Sequence, residues 1–290
     1  LTIAENSAIG TVIGEFNATD PDGDNNITYS LIPYPPKLWL DASDPATIEQ
    51  VDGNLTKWLN KTGGGHAAIV ANGNVKFLPD GLGHSLPAIN TTNAQLKIID
   101  SNTSFDGWEK ITVCFAFKWT TSTIWGNVIW KEGSGFKIQK MNTGAGQGTG
   151  LWYVTDKRLF GSVATEGYEP KVLSVVCDGS TNTTQLYADG SLIRQATDFP
   201  DQITPTPLAT LNEGKGHLKI GGGNLFSEIL IYEDSLDSEE RSSVEDYLMG
   251  KWVGDRHSVL IDQNGTLKTN SVFDYETDGN YTITVWASDD

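Results

Sequence analysis

At 290 residues with a formal net charge of −17, the chain is long enough for two ordinary domains, and its acidity argues against nucleic acid or an anionic membrane surface as a partner, since both demand a basic patch. Two cysteines, Cys114 and Cys177, are too few for a disulfide framework. No apolar run approaches the ~18 residues of a membrane span, and no signal peptide or lipidation motif is visible.

Residues 1–32 alternate apolar and polar positions in short runs, Leu1-Thr2-Ile3, Gly10 to Phe16 and Ile27 to Ile32, the spacing of a β-sandwich. Between the last two lies Ala18-Thr19-Asp20-Pro21-Asp22-Gly23-Asp24, with carboxylates at alternate positions and a glycine for a sharp turn. Such carboxylates can converge on one hard cation at roughly 2.3–2.6 Å, which is calcium chemistry; the alternative is a solvated acidic turn. Pro35 and Pro36 then fix an extended connection, and Leu38-Trp39-Leu40 opens a fresh core-facing strand that stops at the Asp41 to Pro45 turn. Trp39 and Trp58 are both expected in the core.

Strand Ile111 to Trp119 places Ile111, Val113, Phe115, Phe117 and Trp119 on one face and Cys114 on the other, whereas Cys177 alternates with Leu173 and Val175. If those are the core-facing sets, the two sulfurs point apart and cannot bond. The segment from Trp119 to Asp156 is the most aromatic of the chain. Ile124, Val128 and Trp130 are expected on one buried face, leaving Trp125 and Asn127 better exposed, with Trp152 and Tyr153 further on. Aromatic faces with amides beside them are what sugar recognition asks for, so Trp125, Asn127, Trp152 and Tyr153 are the candidate carbohydrate contacts. The Gly-rich run Thr143 to Gly150 has no βαβ surroundings and reads as a hairpin connection rather than a dinucleotide loop.

After the strand Ser227 to Tyr232, Asp237 followed by Glu240 is a capping-box arrangement, and Val244, Tyr247 and Leu248 recur on one face of a helix running to about Trp252. Residues 257–290 return to strands, with Gln263-Asn264-Gly265 as a hairpin turn. Nine Asn-x-Ser/Thr sequons occur, a density that points to a bacterial source where composition alone explains them.

Ala4-Glu5-Asn6, Ala18-Thr19-Asp20-Pro21-Asp22, Phe273-Asp274-Tyr275-Glu276 and Val285-Trp286-Ala287-Ser288-Asp289 resemble the four calcium-binding signatures of a cadherin repeat, in the family's order. The resemblance implies one Ca2+ cluster from Glu5, Asp274 and Glu276 and another, at the opposite end, from Asp20, Asp22 and Asp289. Tyr275 stands where the family usually has Arg. Between the two halves, Leu38 to Asp44, Val51 to Ala67, Leu173 to Gly179 with Gln185 to Gly190, and Phe226 to Trp252 resemble laminin-G-like, concanavalin A-type sandwiches of bacterial surface proteins.

The expected fold is therefore all-β: a concanavalin A-like β-sandwich, residues 35–254, inserted into a cadherin-like Greek-key β-sandwich made of 1–34 and 255–290, with one short helix closing the insert. The chain reads as a secreted piece of a longer, RTX-type bacterial surface adhesin, extracellular, calcium-dependent, adjoining further repeats of the same chain and binding glycans on a target cell or matrix. Function here leans on fold analogy. A protein-binding or spacer module is one alternative. A polysaccharide-degrading enzyme is another, although no strand carries a Glu and an Asp on one face, no Gly-x-Ser-x-Gly occurs, and His66, His84, His217 and His257 lack metal-ligand spacing.

Overall fold

The computed structural model describes the chain apart from residues 22–26, 100–104, 106–107, 121–124, 133–135, 143–148, 155–160, 165–168, 182, 197–215, 254–258, 271, 275–279, 281 and 290, and apart from the side chains of 125, 141–142, 149–154, 161–164, 196 and 289. In chain order the strands are β1 (Val12–Glu15), β2 (Ile27–Ser30), β3 (Leu38–Asp41), β4 (Ile48–Val51), β5 (Asn54–Trp58), β6 (Ala68–Asn72), β7 (Lys76–Gly83), β8 (Leu86–Asn90), β9 (Gln95–Ile98), β10 (Lys110–Trp119) and β11 (Trp125–Lys131). They continue with β12 (Lys137–Asn142), β13 (Thr149–Val154), β14 (Gly161–Ala164), β15 (Lys171–Asp178), β16 (Thr183–Ala188), β17 (Ser191–Ala196), β18 (Leu218–Ile220) and β19 (Asn224–Tyr232). Among the described residues one α-helix, α1 (Ser238–Trp252), precedes β20 (Val259–Ile261), β21 (Thr266–Thr269) and β22 (Trp286–Asp289). The chain divides into two compact units, Leu1–Pro35 with Asp237–Asp290, and Pro36–Leu236.

The central unit is an antiparallel β-sandwich. One sheet runs β17, β16, β15, β10, β19. The free edge of β19 then takes β8 along Leu225 and Phe226 and β3 along Glu228 to Ile231, with β7 outside β8. The other sheet runs β14, β13, β12, β11, β18, β9, β6, β5, β4. Apolar alternation builds the layer between them: Val113, Phe115, Phe117, Leu173, Val175, Phe226 and Ile229 come from the first sheet, and Trp58, Leu96, Ile98, Ile129, Ile138 and Ile220 from the second. Phe115 packs its ring 5.3 Å from Phe117 and 6.0 Å from Phe226. Losing such a ring costs about 3–5 kcal/mol.

β10 is buried on both faces, since Thr112, Cys114 and Ala116 are as inaccessible as their core-facing neighbours. Its register puts Ile111 opposite Cys177 and Cys114 opposite Ser174. Cys177 belongs to the core and Cys114 does not, so the thiols lie on opposite faces and no disulfide joins them, as the alternation predicts. Burial pushes the Cys177 thiol up to about 12.

Two expectations fail locally. Trp58 is fully buried, but Trp39 is only half-buried and lies outside the core. Its indole Nε1 donates to Glu228 Oε1 at 2.6 Å, and the Lys61 ammonium lies 4.7 Å from its ring. An aromatic with a polar handle and a cation on its face has been assigned to the wrong side of β3 by hydrophobicity alone. In β11 a bulge between Asn127 and Ile129 breaks the two-residue period, so that Val128 and Ile129 both enter the core and Val128 no longer shares a face with Trp130.

The terminal unit joins the two ends of the chain. β1 pairs with β21, β21 with β20, and β2 with β22, all antiparallel. The Asn-Gly turn sits between β20 and β21 as its sequence requires: Asp262 Oδ1 accepts from the backbone of Asn264 and Thr266, and Gly265 has φ +85°. These bonds and Lys268 hold the Asp262 carboxyl below its usual range. α1 falls in this unit, whereas the sequence carries it with the insert. Its capping box is complete, with Asp237 Oδ1 accepting from Glu239 N and Glu240 N at 2.8 and 3.0 Å and Glu240 Oε2 accepting from Asp237 N at 2.9 Å. A buried Arg241–Glu245 pair spans one turn.

Candidate functional site

On the central unit a cavity of about 460 Å³ is walled by four segments: Asn72 at the end of β6, residues 91–95 from the β8–β9 connection into the start of β9, Gly126 and Asn127 of β11, and Gly222 and Gly223 between β18 and β19. Two glycines make it possible. Gly222 has φ +80° and passes so close to β11 that a Cβ would lie 2.7 Å from Asn127 O; at Gly73, φ +69°, a Cβ would lie 2.4 Å from Asn93 O.

The walls are tied from behind. Thr91, fully buried, donates from both its backbone N and its Oγ1 to Asn224 O at 3.0 Å. Thr92 Oγ1 meets Thr120 Oγ1 at 3.1 Å, and Thr120 Oγ1 donates to Gly223 O. Asn224 is itself anchored by Lys140, whose ammonium donates to Asn224 Oδ1 at 2.5 Å and stands 4.0 Å from the Trp119 ring centroid. Lys140 is fully buried, and desolvation pushes its amine down to about 7.

The lining is made of amides, hydroxyls and glycine backbone. Asn72 Nδ2 donates to Gln95 Oε1 at 3.3 Å and Gln139 Nε2 to Asn127 Oδ1 at 2.5 Å, which leaves each pair further donors and acceptors for a ligand. Among the described lining residues there is neither a carboxylate nor a cation. Such a site can hydrogen-bond hydroxyls and amides, and it offers no acid–base pair and no charge partner.

A carboxylate pair does exist elsewhere in the unit. Asp41 on β3 and Glu228 on β19 are register partners, so the two share a face although sequence keeps them far apart. Asp41 accepts from Lys61 Nζ at 2.9 Å, from Ser43 N at 2.9 Å and from Ser43 Oγ at 2.6 Å, and Glu228 from Trp39. At 1% and 0% exposure they present no face to a glycosidic oxygen.

Of the sequence-predicted contacts, Asn127 lines the cavity, half-buried. Trp125 lies two residues before it on β11, and on β13 the backbones of Trp152 and Tyr153 pair with Lys140 and Gln139; the side chains of these three aromatics lie outside the described residues. Asn72, Thr91 to Gln95, Gly222 and Gly223 were missed; the polar run Asn90-Thr91-Thr92-Asn93 and the Gly221-Gly222-Gly223 triplet are the signals that could have raised them. In the terminal unit, Glu5 and Asp274 are both exposed and flank the bond from Asn6 N to Phe273 O, 2.8 Å, which brings them to neighbouring positions. Asp20 is half-buried, Asp22 and Glu276 lie outside the described residues, and Asp289 is described only through its backbone pairing with Ile27. Among the described residues no three His, Cys, Asp or Glu side chains converge.

No family model and no curated protein matches the sequence. Solved structures do. The chain is similar to the binding domain of botulinum neurotoxin DC in complex with SialylT, with a TM-score of 0.51 and 12% identity over 79% of this chain and 54% of that one. It also matches domain 4 of AbnA, a GH43 extracellular arabinanase from Geobacillus stearothermophilus, in complex with arabinotriose, at a TM-score of 0.48 and 13% identity over 64% of this chain and 91% of that one. The chain spans about half the length of the neurotoxin binding domain, and at this identity the likeness is one of fold, an all-β sandwich.

Proposed function

We propose that the chain is a non-enzymatic binding module of a bacterial surface adhesin, and that the cavity walled by residues 91–95, Asn127 and Gly222–Gly223 takes an uncharged carbohydrate. The observation that carries this is the lining: amides and hydroxyls on fixed backbone, with no charged side chain among the described residues. The neurotoxin domain of similar fold was solved with SialylT, which is a property of that protein. Here a net charge of −17 and a lining without a cation disfavour sialylated or uronic ligands. The terminal unit would act as a calcium-stiffened repeat, with Glu5, Asp274 and Glu276 holding one ion and Asp20, Asp22 and Asp289 another.

A glycan array read with and without chelator tests the proposal. Neutral saccharides should bind and acidic ones should not. Asn127→Ala, removing one amide from the cavity, should weaken the best neutral hit by about 1–2 kcal/mol, roughly five- to thirtyfold, with the melting temperature nearly unchanged. An array blank in calcium, together with capture of a protein ligand, would favour the protein-binding alternative.

A further inference from the structure

Lys140 does not line the cavity, yet both of its principal walls hang from it. An ammonium can only donate, so the bond from Lys140 Nζ fixes which way the Asn224 amide is turned: Oδ1 toward the lysine, Nδ2 toward Gly221 O at 3.5 Å. The main-chain carbonyl of the same asparagine receives both donors of Thr91. One buried amine therefore orients the residue that joins the 91–95 segment to the 221–224 turn. We infer that Lys140 is the positioning residue of the cavity, and that its protonation state sets the geometry a ligand meets. The inference rests on the proposed binding role of the cavity only for its consequence on affinity.

The surroundings of the amine make the switch possible. Its contacts, Trp119 and Asn224, are uncharged. Among the described residues, desolvation alone shifts the amine, and its hydrogen bond and ring contact go to Asn224 and Trp119. Desolvation, with no counter-charge among the described residues to offset it, leaves the amine titrating at about 7. When it gives its proton to bulk water, the neutral amine becomes able to accept as well as donate. The Asn224 amide then loses the charge-assisted bond that fixes its orientation, and the restraint on Gly221 and Thr91 loosens with it.

Amide nitrogen–proton spectra of the whole chain from pH 5.5 to 9 test this without any ligand, so a failed glycan screen leaves the test intact. The backbone signals of Thr91, Ala94 and Gly221 should move together with a midpoint near 7, while those of the β16–β17 hairpin stay still. Asn224→Asp, which supplies a counter-charge, should raise the common midpoint by more than about one pH unit. Lys140→Met, unbranched, one atom shorter and uncharged, should abolish the titration. Cavity signals that do not titrate in the natural chain, or that titrate unchanged in Lys140→Met, would overturn the inference; if that variant does not fold, an unmoved midpoint in Asn224→Asp would do so. Where a neutral saccharide is in hand, its affinity should fall several-fold from pH 6 to 8 in the natural chain and stay flat in Lys140→Met.

Discussion

Lys140 and Cys177 show how burial without a counter-charge sets chemistry. The lysine is pushed down to about 7 and the thiol up to about 12, both by desolvation. For Lys140 the folded value lies below that of the unfolded chain, so between about pH 7 and 10 the unfolded state holds more protons and stability rises with pH. Denaturant midpoints measured at pH 7 and 9.5 should therefore increase in the natural chain relative to Lys140→Met; equal pH dependence in the two would contradict the burial of the amine. Cys114 and Cys177, both buried and neither in a disulfide, should resist iodoacetamide at pH 8 until denaturant is added, when a mass shift of two alkyl groups appears. Neither lysine nor cysteine environment was legible in sequence beyond the side of the strand each sulfur takes. That side followed from strict alternation in β10 and β15, whereas the depth of Lys140 depends on which strands flank β12.

Elements whose instructions are local were read well. The capping box of α1 lies within four residues, and Asp237→Ala should cost about 1 kcal/mol, seen as a fall in thermal midpoint, while Glu240→Gln should change little because the amide can still accept from the Asp237 backbone. The β20–β21 turn is equally local. Gly265 has φ +85°, and a Cβ there would lie 2.6 Å from Phe16 O, so Gly265→Ala should destabilise by more than the ~1 kcal/mol at stake in an unstrained glycine exchange. The cavity is the opposite case. Its four segments meet only through sheet register, and the β11 bulge that carries Asn127 cancels the alternation by which Val128 and Trp130 were placed. Trp39 failed for a related reason, since hydrophobicity does not say which face of β3 meets Glu228 and Lys61.

In the molecule as a whole, the strand pairs β1–β21 and β2–β22 tie residues before the central unit to residues after it, so the terminal unit closes only when both ends of the chain are in place. If carboxylates there hold calcium, removing the ion returns their mutual repulsion and forfeits ligand linkage. Millimolar calcium should then raise the melting temperature of the terminal unit more than that of the central one, with Asp274→Ala and Asp22→Ala each blunting the shift; sites of this extracellular type bind at about 10⁻⁴–10⁻³ M. Melting indifferent to calcium would remove the ion from the proposal and leave the central cavity untouched. For that cavity the decisive experiment is to add the best neutral saccharide from the array to the isotopically labelled chain and follow the backbone amides. Shifts concentrated at Thr91 to Gln95, Gly126, Asn127, Gly222 and Gly223, and lost in Asn127→Ala, are the predicted result, whereas shifts gathered on another surface, with these residues still, would contradict it.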